Sequence, residues 1–282
     1  MAGLTGSRRR GGGAGWLAAA PLLVVTLIAF GIPTVVLGVG AFSVKGGGFG
    51  FDNLSATMQE PYIGALWSSV KLSAVVAILG AVLGAFLAQA VLTSRSGLLR
   101  EAVLTASGVL ANFGGVPLAF IWIATLGNSG VVTAALGLGS GVLYNFWGLA
   151  LVYLYFSIPL MVLVIAPALD GLKPQWREAA LNNGASTWQF WRHVGIPVLG
   201  PALLGGGVLL FGGAFAAYAT AAAMVGASVP LVTLQIADAL TGNVLIGYEN
   251  IALALSVDMI VIALLVMAVY LPLQKRSSRW LA

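Results

Sequence analysis

Residues 173–201 read KPQWREAALNNGASTWQFWRHVGIPVLGP, and the reading of this stretch decides the fold. It is the longest interval with real polar content in a chain that is otherwise almost entirely apolar. Pro174 suits a first helical turn, where its missing N–H would be unpaired anyway. The spacing predicts a short helix over 174–182. Gly184 follows, and glycine turns the chain at positive φ without steric penalty. Ser186 and Gln189 have the spacing of a capping box, so a second helix is expected to start at Thr187. Pro197 and Pro201 are expected to mark its end. The prediction is a bent helical pair between two membrane spans, a shape suited to presentation to a partner.

Composition supports the membrane. The 282 residues are 60% hydrophobic and 7% charged, with a mean hydropathy of +1.01. Soluble domains carry about 25% charged residues. So little charge cannot cover so much apolar area in water, which leaves a membrane protein. The chain has no cysteine, so disulfides and thiolate chemistry are excluded. Nucleic-acid binding needs a basic patch on a soluble face, and no such domain is present.

Six apolar stretches are long enough to cross about 30 Å of hydrocarbon: about 16–42, 66–93, 103–126, 142–169, 202–226 and 251–272. Residues 1–15, with Arg8, Arg9 and Arg10, read as a basic tail, and 273–282 as a second tail. The first apolar stretch exceeds the 7–15 residues of a secretory signal's core, so it reads as a retained span. Residues 43–65, 127–141 and 227–250 read as loops on one side. The turn 94–102 and the loop 173–201 read as lying on the other. Of the 13 Lys and Arg, Lys45 and Lys71 fall on the first side and the other eleven on the second. That bias places both termini and residues 173–201 in the cytoplasm. No internal repeat is visible, and 16–272 reads as one all-α membrane domain.

Glu178-Ala179-Ala180, Gly184-Ala185, Phe190, Ile196-Pro197 and Pro201 together resemble the EAA loop of ABC-importer permeases. Asn183 stands where the family often has Asp, and Ile196 where it often has Leu. The resemblance extends over most of the chain from about residue 60 to 272. It implies a type I importer permease of six transmembrane helices whose loop docks, as a coupling helix, in a cleft of a cytoplasmic ATPase subunit. The docking residues it implies are Glu178, Ala179, Ala180, Gly184, Ala185 and Pro197. It further implies a pair of ATP-binding subunits, a second permease subunit (identical or paralogous) and an extracytoplasmic solute-binding protein. ATP and Mg would then be bound by the ATPase partner, with no cofactor on this chain. ANFGGVPLAFIWIATLG (111–127) and AFAAYATAAAMVG (214–226) look most like permeases of the polyamine, iron and phosphonate group.

Enzymatic chemistry finds no support. The chain has no phosphate-binding G-x-x-x-x-G-K-[ST] loop, so any ATP that drives it is bound elsewhere. His193 is the only histidine and has no neighbouring carboxylate pair, so no metal site is expected. No base accompanies the scattered Ser and Thr, so a hydrolytic triad is unsupported. Trp188, Phe190 and Trp191 suit either a membrane headgroup layer or a partner surface.

Candidate residues for a solute path are the polar and aromatic ones inside spans: Asn112, Phe113, Tyr153, Tyr155, Tyr218, Thr220 and Asp258. Asp258 is the one acid well inside a span, where an ionisable group costs about 2.5 kcal/mol or more without water or a partner. It is expected either to line the path or to bond a neighbouring helix. Lys71 is expected to snorkel. Gly114, Gly115 and Pro117 either open the third span or allow a close crossing. The outer acids Asp52, Glu60, Asp238 and Glu249 mildly favour a cationic solute or a basic docking rim. The rival class is an ion-coupled secondary transporter, which commonly shows paired repeats and several intramembrane acids.

Overall fold

The computed structural model describes residues 12–44, 47–137, 139, 141–241 and 249–278. Arg8, Arg9, Arg10, Lys45 and Arg279 of the sequence reading lie outside the described residues. All regular structure among the described residues is helical, apart from an isolated bridge between Ser43 and Phe49. In chain order the helices are α1 (Gly12–Thr26), α2 (Ile32–Ala41), α3 (Asp52–Thr57), α4 (Tyr62–Leu92), α5 (Gly97–Leu110), α6 (Gly115–Leu126) and α7 (Val131–Leu136). They continue as α8 (Phe146–Asp170), α9 (Pro174–Asn182), α10 (Thr187–Phe190), α11 (Ile196–Ala216), α12 (Ala219–Met224), α13 (Val232–Leu240) and α14 (Glu249–Ser278). Six segments among the described residues are long and apolar enough to span a membrane.

The centre of the bundle is a three-helix contact of α4, α8 and α11. Small residues make it possible. A Cβ on Gly84 would come within 2.5 Å of Met161 Cβ and 2.9 Å of the Ile158 carbonyl oxygen. A Cβ on Gly206 would come within 2.5 Å of Met161 Sδ. Met161 is fully buried between the two glycines. Gly80 and Gly84 form the small-x-x-x-small spacing that lets membrane helices approach closely, where lipid gives no hydrophobic drive. Around this centre, α5 packs on α8, α14 on α11, α2 and α13, and α6 on α12. Outward faces carry large apolar side chains such as Phe30, Ile78, Phe86 and Leu264, all exposed, as lipid contact requires. Between Ala19 and Ala41 only Ala41 is buried, so the first span stands away from the bundle along most of its length.

Four expectations need correction. The third span, expected over 103–126, lies instead at Gly115–Leu136, because the chain breaks between α5 and α6, the opening that Gly114, Gly115 and Pro117 offered as one alternative. Gly114 is extended (φ −127, ψ −163) and Gly115 has φ +77, a conformation that glycine tolerates. The fifth span, expected over 202–226, runs instead from Thr187 to Ala216, where Ala217 turns extended (ψ 118). Residues 227–250, expected as a loop, contain α13, whose Val232, Leu234 and Ala239 are buried. Pro197 and Pro201 do not end the second helix of the 173–201 stretch. A π-helical turn over Trp191–Gly195 shifts the hydrogen-bond register and puts Pro197 in the first turn of α11, so α10 runs on into the span.

Candidate functional site

The 173–201 stretch forms an elbow. Helix α9 begins at Pro174 and buries no residue. Its end is a Schellman motif: the Ala185 N–H donates to the Ala180 carbonyl at 3.0 Å, and the Gly184 N–H to the Leu181 carbonyl at 2.9 Å. Gly184 sits at φ +78, as that motif demands. The capping box of α10 is complete. Ser186 Oγ accepts from the Gln189 N–H at 3.2 Å, and Gln189 Oε1 accepts from the Ser186 N–H at 2.7 Å. Each arm is therefore closed by its own neighbours. Glu178, Ala179 and Gly184 are exposed, while Ala180, Ala185 and Pro197 are half-buried. His193 is exposed, with Nδ1 3.0 Å from the Gln189 carbonyl oxygen. Arg100 and Asp170 pair at 2.7 Å, which ties the start of α5 to the end of α8 just before the elbow.

The other polar candidates gather at a junction of broken helices. Thr220 Oγ1 accepts from the Gly115 N–H at 2.9 Å and donates to the Gly115 carbonyl at 3.2 Å. The break before α6 is thus stitched to α12. At the break after α11, the freed Ala217 carbonyl accepts from Tyr153 Oη at 3.1 Å and from Thr233 Oγ1 at 3.4 Å. The first N–H of α13, on Val232, donates to Ser69 Oγ of α4 at 2.9 Å. Irregular backbone survives at membrane depth only when its polar groups are satisfied this way or line a cavity. Both conditions hold here. A cavity of about 360 Å³ opens beside the junction, lined by Tyr218, Ala222, Val229, Gln235 and Asp238 among others.

The candidates therefore divide. Thr220 and Tyr153 are buried and hold backbone. Asn112, Phe113 and Tyr218 are exposed around the same breaks. The Asn112 amide donates to the Gly108 carbonyl, which closes the end of α5. Tyr155 packs edge-on against Trp122 of α6. Asp258 belongs elsewhere: it is buried on α14 beside Thr57 of α3. Lys71 does not reach it, and its Nζ lies 5.0 Å from the Trp67 ring centroid.

Residues 80–279 match the family described as binding-protein-dependent transport system inner membrane component. The chain belongs to that family. This permease is also similar to solved structures. A chain of a bacterial ABC transporter that imports the acidic polysaccharide alginate superposes with a TM-score of 0.73 at 21% identity, over 94% of this chain and 96% of that one. A chain of the alginate transporter in complex with its pentasaccharide-bound periplasmic protein gives 0.75 at 21% identity, over 93% and 94%. A chain of the MetNI methionine ABC transporter gives 0.59 at 16% identity, over 78% and 99%. At these identities the likeness is one of fold, and it agrees with the type I importer permease fold expected from the elbow.

Curated relatives are similar over a shorter stretch. The sulfate transport system permease protein CysT of Escherichia coli (strain K12) is 42% identical over 57 residues, 20% of this chain and 21% of the relative. The probable sulfate transport system permease protein cysT of Marchantia polymorpha is 32% identical over 83 residues, 29% of this chain and 28% of the relative. The matched stretch spans well under a third of these relatives' length. They correct one expectation: stretches 111–127 and 214–226 pointed to polyamine, iron and phosphonate permeases, whereas these relatives are sulfate permeases. Short apolar segments share composition across many permeases, so they separate subgroups poorly.

Sequence reasoning missed Ser69, Thr233, Gln235 and the Ala217 carbonyl. Nothing local marks a serine 163 positions from the N–H it caps. Sequence reasoning also missed Gly84, whose partner Met161 lies far along the chain.

Proposed function

We propose that this permease forms, with a second permease subunit, the membrane path of an ATP-driven importer and is moved by an ATPase seated on its elbow. The single observation that carries the coupling is the elbow itself. Two capped arms meet at a left-handed glycine, and the first arm buries nothing in this chain. An exposed, self-closed helix is built to be held by another protein. Its docking face is Glu178, Ala179, Ala180, Gly184 and Ala185, with Pro197 at the root where the elbow enters the span. The excess of Lys and Arg on this side supports a cytoplasmic elbow and cytoplasmic termini. ATP and Mg belong to the ATPase pair.

The solute path runs past the junction. Tyr218 and the cavity beside it face the route, with Asn112 and Phe113 at the neighbouring break, while Thr220 and Tyr153 keep the broken backbone in place. Asp258 is a packing residue against α3 in this reading. The solute is a small tetrahedral oxyanion such as sulfate, supported by the sulfate permeases among the relatives. An extracytoplasmic binding protein delivers it, as the alginate transporter's periplasmic protein suggests by analogy. The outer acids then suit a basic rim on that protein better than a cationic solute.

The decisive experiment reconstitutes the permease with its ATPase and binding protein in liposomes. ATP hydrolysis is expected to rise when sulfate and binding protein are added together. Full sulfate accumulation without any ATPase would replace this reading with ion-coupled transport.

A further inference from the structure

A second cavity, of about 480 Å³, lies on the elbow side of the bundle between α4, α8 and the α10–α11 helix. Phe86 and Gln89 of α4, Leu169 of α8, and Trp188, Trp191 and Leu203 line it. Its walls carry no charged side chain. It is open at the side: Phe86 is 71% and Trp188 67% exposed. From Trp188 to Leu203 the α10–α11 helix rises roughly 22 Å at 1.5 Å per residue. One leaflet of hydrocarbon is roughly 15 Å deep. The groove therefore reaches from the interfacial layer through the acyl region of a single leaflet, with two indoles at its mouth, where tryptophan prefers to sit.

The mouth also carries a charge. Arg192 follows Trp191 and lies four residues from both Trp188 and Ile196, which line the groove, so it stands at the same end of it. Arg192 is exposed and makes no ion pair or hydrogen bond among the described residues. The Trp191 ring lies against Gly195, where a Cβ would run into it. An apolar slot one leaflet deep, two indole N–H donors and an unpaired guanidinium together match one amphiphile.

We propose that this groove holds one acyl chain of an anionic phospholipid, with the headgroup phosphate on Arg192 and the indoles of Trp188 and Trp191 beside the glycerol. The site stands where the elbow joins the span, so a bound lipid braces the root of the lever. The inference rests on the membrane placement of the chain and is independent of its solute.

The test uses the full chain with its ATPase in liposomes containing brominated phosphatidylglycerol or brominated phosphatidylcholine. Bromine quenches tryptophan on contact. The difference between wild type and a Trp191→Phe variant isolates the groove signal from the other tryptophans. Phosphatidylglycerol is expected to quench it at about fivefold lower mole fraction, the size of one cation's attraction to an anionic headgroup. Arg192→Gln should erase that preference, and Ala85→Phe, which fills the groove wall, should erase quenching by both lipids. Equal quenching by the two lipids would mean ordinary boundary lipid and overturn the proposal. No quenching by either would mean that a protein surface covers the groove, which overturns it as well.

Discussion

The elbow and the junction are both departures from a plain membrane helix, and they are held in opposite ways. In the elbow every cap comes from within six residues: Ser186 with Gln189, Gly184 with Leu181, Ala185 with Ala180. In the junction the closing groups come from far along the chain: Gly115 with Thr220, Ala217 with Tyr153, Val232 with Ser69. The first arm of the elbow can thus keep its shape while burying nothing in its own protein, and the second is anchored through buried Phe190. The junction exists only while the bundle is assembled. One is built to be gripped and the other to stay open at membrane depth.

If that contrast is right, the two regions should fail differently. Gly184→Asp should lower ATP-driven uptake by roughly 10-fold to 100-fold, the range of an ordinary coupling energy. Its melting temperature in detergent should stay near that of the wild type, because a left-handed residue costs about 1–2 kcal/mol in a segment that supports nothing else. A melting temperature that falls together with uptake would show the elbow to be structural, and full uptake would remove the elbow from coupling.

Thr220→Val should do the reverse. It leaves the Gly115 N–H and carbonyl without their partner and should cost about 1–2 kcal/mol, read as a lower unfolding midpoint. Thr220→Ser should restore most of that loss, since the hydroxyl remains. A Thr220→Val protein as stable as the wild type would mean that the break is not held by this side chain. Tyr153→Phe is a milder version, because Thr233 still donates to the Ala217 carbonyl. A loss of about 0.6 kcal/mol is expected, the mean for such bonds in membranes.

The smallest effect concerns the cavity. Asp238 is the one carboxylate on its wall. For an anionic solute, Asp238→Asn should raise the apparent affinity of uptake slightly, by about twofold to fivefold, as removal of one partly screened like charge allows. A fall in affinity would point to a cationic solute and against sulfate.

Much of this was legible beforehand, and for a physical reason. The bent pair, its glycine and its capping box are short-range chemistry, so residues 174–189 announce them. The six apolar stretches follow from the thickness of the hydrocarbon. The breaks were only half legible. Gly114, Gly115 and Pro117 signalled an opening in the third span, but nothing around Ala216-Ala217 signalled the second. Alanine is a good helix former, and the Ala217 carbonyl just past the end of that helix is met by Tyr153 and Thr233 from elsewhere in the bundle. Pro197 misled in the other direction, since a π-helical turn absorbed a residue that ordinarily stops a helix.

Taken alone, the order of residues determined a helical membrane chain with six apolar stretches, the uneven placement of its basic residues and the shape of its elbow, because hydropathy and capping act over a few neighbours. Three-dimensional packing alone decided where two spans break, which hydroxyls close them, and that Asp258 rests against Thr57 rather than beside the junction. In lipid no water can pair a freed N–H or carbonyl, so a break is allowed only where a distant side chain arrives to meet it, and that arrival is a property of the assembled bundle.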